Sequence, residues 1–191
     1  MKSRLLKSKL TIFVIIFLIF ISAMIAYSAF FKASPSSSSS TPTRVLLVTS
    51  MGNITVELYS DMPITASNFK NLTQFGIYDR TLFHRVATNP AVIQGGDAGP
   101  KGIVVPTILD ELPNKHSNVR GSVAMAKTSS PNSASSQFYI NVTDNLSLDS
   151  NYSVFGNVTA GMDVVDVISQ VPTDNEKPKQ DVTITKALIL T

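Results

Sequence analysis

The polar and apolar positions divide the chain into three regions of unlike pattern. Residues 10–31, LTIFVIIFLIFISAMIAYSAFF, run 22 positions without a charge. As a helix this stretch spans roughly 33 Å at 1.5 Å per residue, enough for a hydrocarbon core of about 30 Å. It predicts a single N-terminal transmembrane helix. Residues 32–43, KASPSSSSSTPT, offer no apolar surface against their ordering entropy and predict a flexible linker. Alternation then takes over. In residues 53–59, Ile54, Val56 and Leu58 alternate with Thr55, Glu57 and Tyr59, the pattern of a half-buried strand. Residues 44–50 precede it as a second strand, and Met51-Gly52 reads as the hairpin turn between them. Pro63 in a first turn, Ala66, Phe69 and Leu72 at a spacing of three, and Gly76 as a stop predict a helix. Short strands are predicted over residues 81–86, 91–95, 121–126, 137–141, 153–158 and 181–190. A second helix fits residues 162–168, where Val164, Val165 and Ile168 share a face. Seven or eight short strands with two helices imply an antiparallel barrel or sandwich with helical caps.

Charge changes how the first region is read. All 13 acidic residues lie after position 43, whereas five of the 16 basic residues lie before it, so residues 44–191 carry a net charge of about −2. The basic excess belongs to the N-terminus, and the domain has no electrostatic footprint for nucleic acid. Lys2, Arg4, Lys7 and Lys9 precede the apolar run and Lys32 follows it. The excess of positive charge on the N-terminal side puts residues 1–9 in the cytoplasm as a basic tail and residues 44–191 outside. The expected protein is therefore single-pass and membrane-bound. Small residues at Ala26, Ser28 and Ala29 leave a cleaved signal peptide, and hence a secreted domain, as the alternative. Signal h-regions usually run about 7–15 residues, which favours the uncleaved anchor. Acceptor sequons at Asn53, Asn71, Asn141, Asn145, Asn151 and Asn157 agree with an extracytoplasmic address.

Composition closes several kinds of chemistry. Without cysteine there is no disulfide framework, zinc finger or thiol nucleophile, and His84 and His116 are too few for a three-histidine metal site. No metal or other cofactor is expected. Gly95-Gly96-Asp97 lacks the Gly-Lys-Ser/Thr continuation of a phosphate loop. The acidic pair Asp110-Glu111 reads as a solvated turn, and residues 132–136 as a polar loop.

The informative stretches are LFHRVATNPAVIQGGD (residues 82–97), SVAMAKTSSPNSASSQFYI (122–140) and LDSNYSVFG (148–156). With Gly52-Asn53-Ile54 and Glu57-Leu58 they resemble, in order and approximate spacing, the cyclophilin family of peptidyl-prolyl isomerases. The resemblance covers residues 44–191 and none of the anchor. It implies a mainly β fold, a closed eight-stranded antiparallel barrel capped by two α-helices. It also implies an enzyme that accelerates rotation about X-Pro bonds in exported or surface polypeptides, as a monomer and with a role in folding. The barrier to that rotation is about 18–20 kcal/mol because the amide resists losing its resonance. No nucleophile, metal or proton relay is needed, only tighter binding of the twisted amide than of either planar form. Twisting makes the prolyl nitrogen pyramidal, and a fixed guanidinium can donate to its lone pair. The resemblance places that guanidinium at Arg85, a permanent charge with a planar donor fork.

The resemblance further implies substrate contacts at Phe83, His84, Val92, Gln94, Met125, Ala126, Lys127, Tyr139, Leu148 and Tyr152. Val92, Met125, Tyr139 and Leu148 would wall the proline pocket, Gln94 would lie beside the substrate backbone, and the backbone near Ala126-Lys127 would pair with an extended peptide. His84 is expected to support structure, and Tyr152 to lie at the rim. The sequence departs from the family pattern in places. Arg85 and Gln94 are one residue further apart, so the aromatic expected after the arginine falls on Pro90 or Ala91, and the pocket loses a face or Pro90 fills it. A second insertion lies between Met125 and Gln137, the loop after Asp97 lacks a glycine-rich run, Ser147 stands where many relatives carry Trp, and Tyr152 where many carry His. The change at Ser147 predicts weak binding of cyclosporin. The altered pocket motivates a second reading, a non-catalytic module or chaperone that binds proline-containing segments. A lipocalin-type small-ligand barrel would need a wide apolar lumen, and the motif order argues against it.

Overall fold

Alternation at the start of the domain becomes a hairpin. The computed structural model describes residues 42–190, so the expected transmembrane helix and most of the linker lie outside the described residues. Among the described residues no helix is long and apolar enough to cross a membrane. Strands β1 (Arg44–Thr49) and β2 (Gly52–Leu58) pair from Arg44↔Glu57 to Thr49↔Gly52. The turn is therefore Ser50-Met51, one residue earlier than the sequence suggests. Gly52 is the reason: its φ of +134° is a glycine conformation, and a Cβ there would stand 2.7 Å from the Val164 side chain.

Helix α1 (Pro63–Gln74) buries Thr65, Ala66, Phe69, Leu72 and Thr73. Its first turn contains no acidic residue. Glu111, 46 positions downstream of Thr65, supplies that charge by accepting from the Ile64 amide at 3.0 Å and the Thr65 amide at 2.7 Å. A carboxylate on the unpaired N–H groups of a helix start is favoured by both hydrogen bonding and the helix dipole. Asp110 faces Lys127 at 2.8 Å, both side chains about nine-tenths buried. The pair Asp110-Glu111 is thus a structural clamp rather than a solvated turn.

The remaining strands are β3 (Thr81–Thr88), β4 (Ala91–Gly95), β5 (Ser122–Met125), β6 (Phe138–Asn141), β7 (Val154–Ala160), a small ribbon of β8 (Thr173–Asp174) with β9 (Lys177–Pro178), and β10 (Thr183–Leu190). Helix α2 (Met162–Ser169) lies between β7 and β8. Eight strands close an antiparallel barrel in the order β1-β10-β3-β4-β6-β5-β7-β2. This is the expected fold for the domain. Closure removes every free edge of the main sheet.

Inward positions fill the lumen: Val45 and Leu47, Ile54 and Val56, Phe83, Ile93, Val123 and Met125, Phe138 and Ile140, and Ile184 are at most 1% exposed. Phe69 of α1 packs among Tyr78, Phe138 and Phe155 with ring centroids 4.9, 5.1 and 5.0 Å away. Burying such a side chain contributes about 1.5–3 kcal/mol, with aromatic pairing adding to it. The lumen is therefore a packed core with no room for a small-ligand cavity of lipocalin type. Of the six sequons, Asn141 is fully buried, its amide donating to Ser122 Oγ at 2.8 Å, so this one is a core residue rather than a glycan acceptor.

Candidate active site

The site begins with a β-bulge. Strand β3 pairs with β4 as Phe83↔Gly95 and then Arg85↔Gln94, so His84 and Arg85 together oppose one residue. Phe83 points into the lumen, and strict alternation would send Arg85 there too. The extra residue instead turns Arg85 outward, the common use of a bulge beside a functional site. Past the bulge Val86 is again in the core and Ala87 faces out.

The pairing then lays one row across four strands: Arg85↔Gln94, Gln94↔Tyr139 and Tyr139↔Ala124. In the adjacent row Ala87 pairs with Val92. Side chains of these rows form a second apolar cluster, Ala87, Val92, Ala124, Tyr139 and Val154, with Tyr59, Ala126, Leu148 and Tyr152 packed against it. An open cleft of about 130 Å³ lies on this outer face, lined by Arg85, Pro90, Val92, Gln94, Ala126, Lys127, Tyr139, Leu148 and Tyr152. It has a greasy floor and a cationic side.

Eight of the eleven residues singled out from the sequence meet here. Phe83, His84 and Met125 do not line the cleft. Phe83 and Met125 are 1% exposed and belong to the lumen core, because in β3 and β5 they occupy inward positions. Met125 therefore walls the barrel interior rather than a proline pocket, and the outward-facing residues on β5 and just after it, Ala124 and Ala126, take that place. His84 has a buried Nδ1 that finds no hydrogen-bond partner among the described residues, and burial holds its pKa below the ordinary imidazole value. It is a neutral supporting group. Pro90 lines the cleft where the aromatic is missing, so a ring of another kind occupies that side.

Polar contacts fix the cationic side. Arg85 donates from Nε to Glu176 Oε2 at 2.7 Å and from Nη1 to Gln94 Oε1 at 3.2 Å. Gln94 in turn donates from Nε2 to Gln137 Oε1 at 2.8 Å. The ion pair is solvated, with side-chain exposures of 36% for Arg85 and 43% for Glu176, and it engages one edge of the guanidinium. At the floor the Tyr139 hydroxyl donates to Asn118 Oδ1 at 2.7 Å, and Asn118 is held through Asp149 at 2.7 and 2.8 Å. Burial pushes the Tyr139 phenol well above its usual pKa, so it stays neutral. Tyr152 meets Tyr139 edge-on at 5.8 Å.

Sequence reasoning missed Glu176 as the partner of the arginine and Gln137 as the partner of Gln94. Asp174-Asn175 does signal a tight turn, but nothing local says that its tip reaches β3. The cleft is chemically simple: an oriented guanidinium beside a ring-sized apolar floor, with Lys127, paired to Asp110, at its border.

Comparison with known proteins agrees with this geometry. Residues 44–189 match the family described as cyclophilin type peptidyl-prolyl cis-trans isomerase/CLD. A peptidyl-prolyl cis-trans isomerase of Acinetobacter baylyi is 45% identical over 157 residues, covering 74% of this chain and 82% of the relative. Peptidyl-prolyl cis-trans isomerase B of Escherichia coli is 41% identical over 147 residues, covering 70% and 88%. Among solved structures, a Cryptosporidium parvum cyclophilin type peptidyl-prolyl cis-trans isomerase superposes with a TM-score of 0.72 at 27% identity, covering 79% of this chain and 99% of that one. The same kind of match, with a TM-score of 0.71, is found to that Cryptosporidium protein in the presence of the dipeptide Ala-Pro. Barrel, cleft and relatives converge: the chain belongs to the family of cyclophilin-type peptidyl-prolyl cis-trans isomerases.

Proposed function

We propose that the outer cleft binds proline-containing segments and that Arg85 lowers the barrier to X-Pro rotation. The observation that carries this is the shared row of Arg85, Gln94 and Tyr139 across β3, β4 and β6, which sets a cation beside an apolar floor. Val92, Tyr139, Leu148 and Pro90 hold the pyrrolidine ring against water. As the amide twists, its nitrogen gains a lone pair, and a donor on the cleft-facing edge of Arg85 stabilises that form over the planar ones. The donor is already oriented by Gln94, so little reorganisation accompanies the reaction. Ala126 and Lys127 border the cleft where an extended peptide runs, and the relative whose structure was solved in the presence of Ala-Pro supports a peptide of that kind as substrate.

The same reading extends to the address. The uncharged run 10–31, the basic residues before it and the Ser/Thr/Pro-rich linker support a domain tethered outside the cytoplasm, acting on exported or surface proteins. Uncatalysed proline isomerisation takes tens of seconds, a delay that matters to folding there.

A proline-limited peptide assay tests the catalytic reading. Arg85→Ala is expected to lower kcat/KM at least about tenfold, roughly 1.4 kcal/mol of transition-state stabilisation. Its Tm should move little, since an exposed ion pair contributes only about 0–1 kcal/mol. Binding of proline peptides without rate enhancement in the unaltered protein would instead favour the second reading, the non-catalytic binding module.

A further inference from the structure

We propose that Glu176 is a positioning residue for Arg85, an inference that rests on the catalytic reading of that arginine. Three observations converge on it. The ribbon turns through Asn175 and Glu176, whose φ angles are +47° and +64° between the pairs Asp174↔Lys177 and Thr173↔Pro178. Both central residues of a two-residue hairpin loop thus sit in the left-handed region, where the second position favours glycine. This chain places a glutamate there and keeps it in that unfavourable conformation. The Glu176 carbonyl accepts from the Val86 amide at 2.7 Å, docking the turn on β3 one residue past Arg85. Its carboxylate then takes the Arg85 Nε at 2.7 Å.

The effect is a two-sided hold. An arginine side chain has many rotamers, and fixing it during the reaction would cost entropy in the transition state. Glu176 on Nε and Gln94 on Nη1 fix it beforehand, and Nη2, engaged by neither, belongs to a side chain that lines the cleft. A carboxylate beside a cation also opposes the field that the cation exerts on substrate. The pair is solvent-exposed, where that Coulomb cost is strongly screened, so orientation outweighs it.

The test uses an uncharged proline peptide, so attraction of the carboxylate for basic substrates plays no part. Glu176→Gly relieves the turn and removes the side chain. It is expected to fold with an equal or higher Tm while kcat/KM falls about three- to tenfold. Glu176→Gln keeps an oxygen that can accept from Nε and is expected to retain most of the activity. In an Arg85→Ala background, Glu176→Gly should cause no further loss, because the two act as one unit. Unchanged or raised activity in Glu176→Gly overturns the proposal. So does an equal loss in both backgrounds, which would make Glu176 a support of the fold. If Arg85→Ala alone retains full activity, the catalytic reading falls and the proposal with it, and that arm is scored separately from the Glu176 arms.

Discussion

His84 is a motif residue that stands next to the cleft arginine without lining the cleft. It stands in the bulge that turns Arg85 outward, with Nδ1 sealed from solvent. Burial favours the neutral ring, so the folded-state pKa lies below the ordinary value of about 6.5. The sign follows from linkage. The unfolded chain takes up the proton first as pH falls below about 6.5, so stability is fully present above that pH and declines below it. Carboxylates such as Asp166, held below their usual range by the Arg120 guanidinium, lose their contribution only at lower pH. An NMR titration of the His84 ring should therefore inflect below 6.5, and Tm between pH 7 and 5 should fall less in His84→Gln than in the unaltered protein. A His84 inflection at or above 6.5 would contradict this. At this scale the sequence was legible where a motif brings a side chain to the cleft, as for Arg85, Gln94 and Tyr139. It failed for Met125 and Phe83, because a list of motif residues does not say which of two strand faces each one occupies.

Strand β3 explains why parity could not be read. Counting alternate residues from Phe83 sends Arg85 inward, and only the pairing with β4 reveals the extra residue that reverses it. The ribbon β8–β9 escaped notice for a related reason: two-residue strands carry no alternation, and Glu176 breaks the turn preference that would have marked them. The same ribbon completes the edge of β3. Strand β10 pairs with it only at Thr183↔Leu82 and Ile184↔Thr81, and Val182 extends this by accepting from the Phe83 amide at 2.8 Å. Beyond that point the Val86 amide depends on Glu176. A two-residue ribbon on an exposed rim opens locally more readily than strands paired on both sides. Native-state hydrogen exchange should thus find the Val86 amide exchanging at least about tenfold faster than those of Ile93 and Ile140, which lie in the lumen-lining centre of β4 and β6. Equal protection at all three would place the ribbon inside the cooperative barrel unit.

At the scale of the whole domain, residues 44–190 close on themselves as a barrel. The closed barrel followed from the family resemblance, and strand count and turn spacing made an antiparallel barrel or sandwich readable from sequence. The order β1-β10-β3-β4-β6-β5-β7-β2 was not, because it depends on which distant strands close the cylinder. That closure pairs the first strand of the domain with its last, from Arg44↔Leu190 to Thr49↔Ile184, and among the described residues the core begins at Val45. Charge then decides direction under the proposed topology: four basic residues before the run against one after it retain the N-terminus in the cytoplasm. Protease added to intact cells is expected to remove the barrel and leave a membrane-bound fragment of about 40 residues. Any glycan mass should sit on the exposed Asn53, Asn71 or Asn151, never on Asn141, whose side chain is bonded inside the core. A barrel that survives protease until the cells are lysed would place it on the cytoplasmic side. A barrel recovered in the medium, without its apolar segment, would show that the run is a cleaved signal and that catalysis happens free of the membrane.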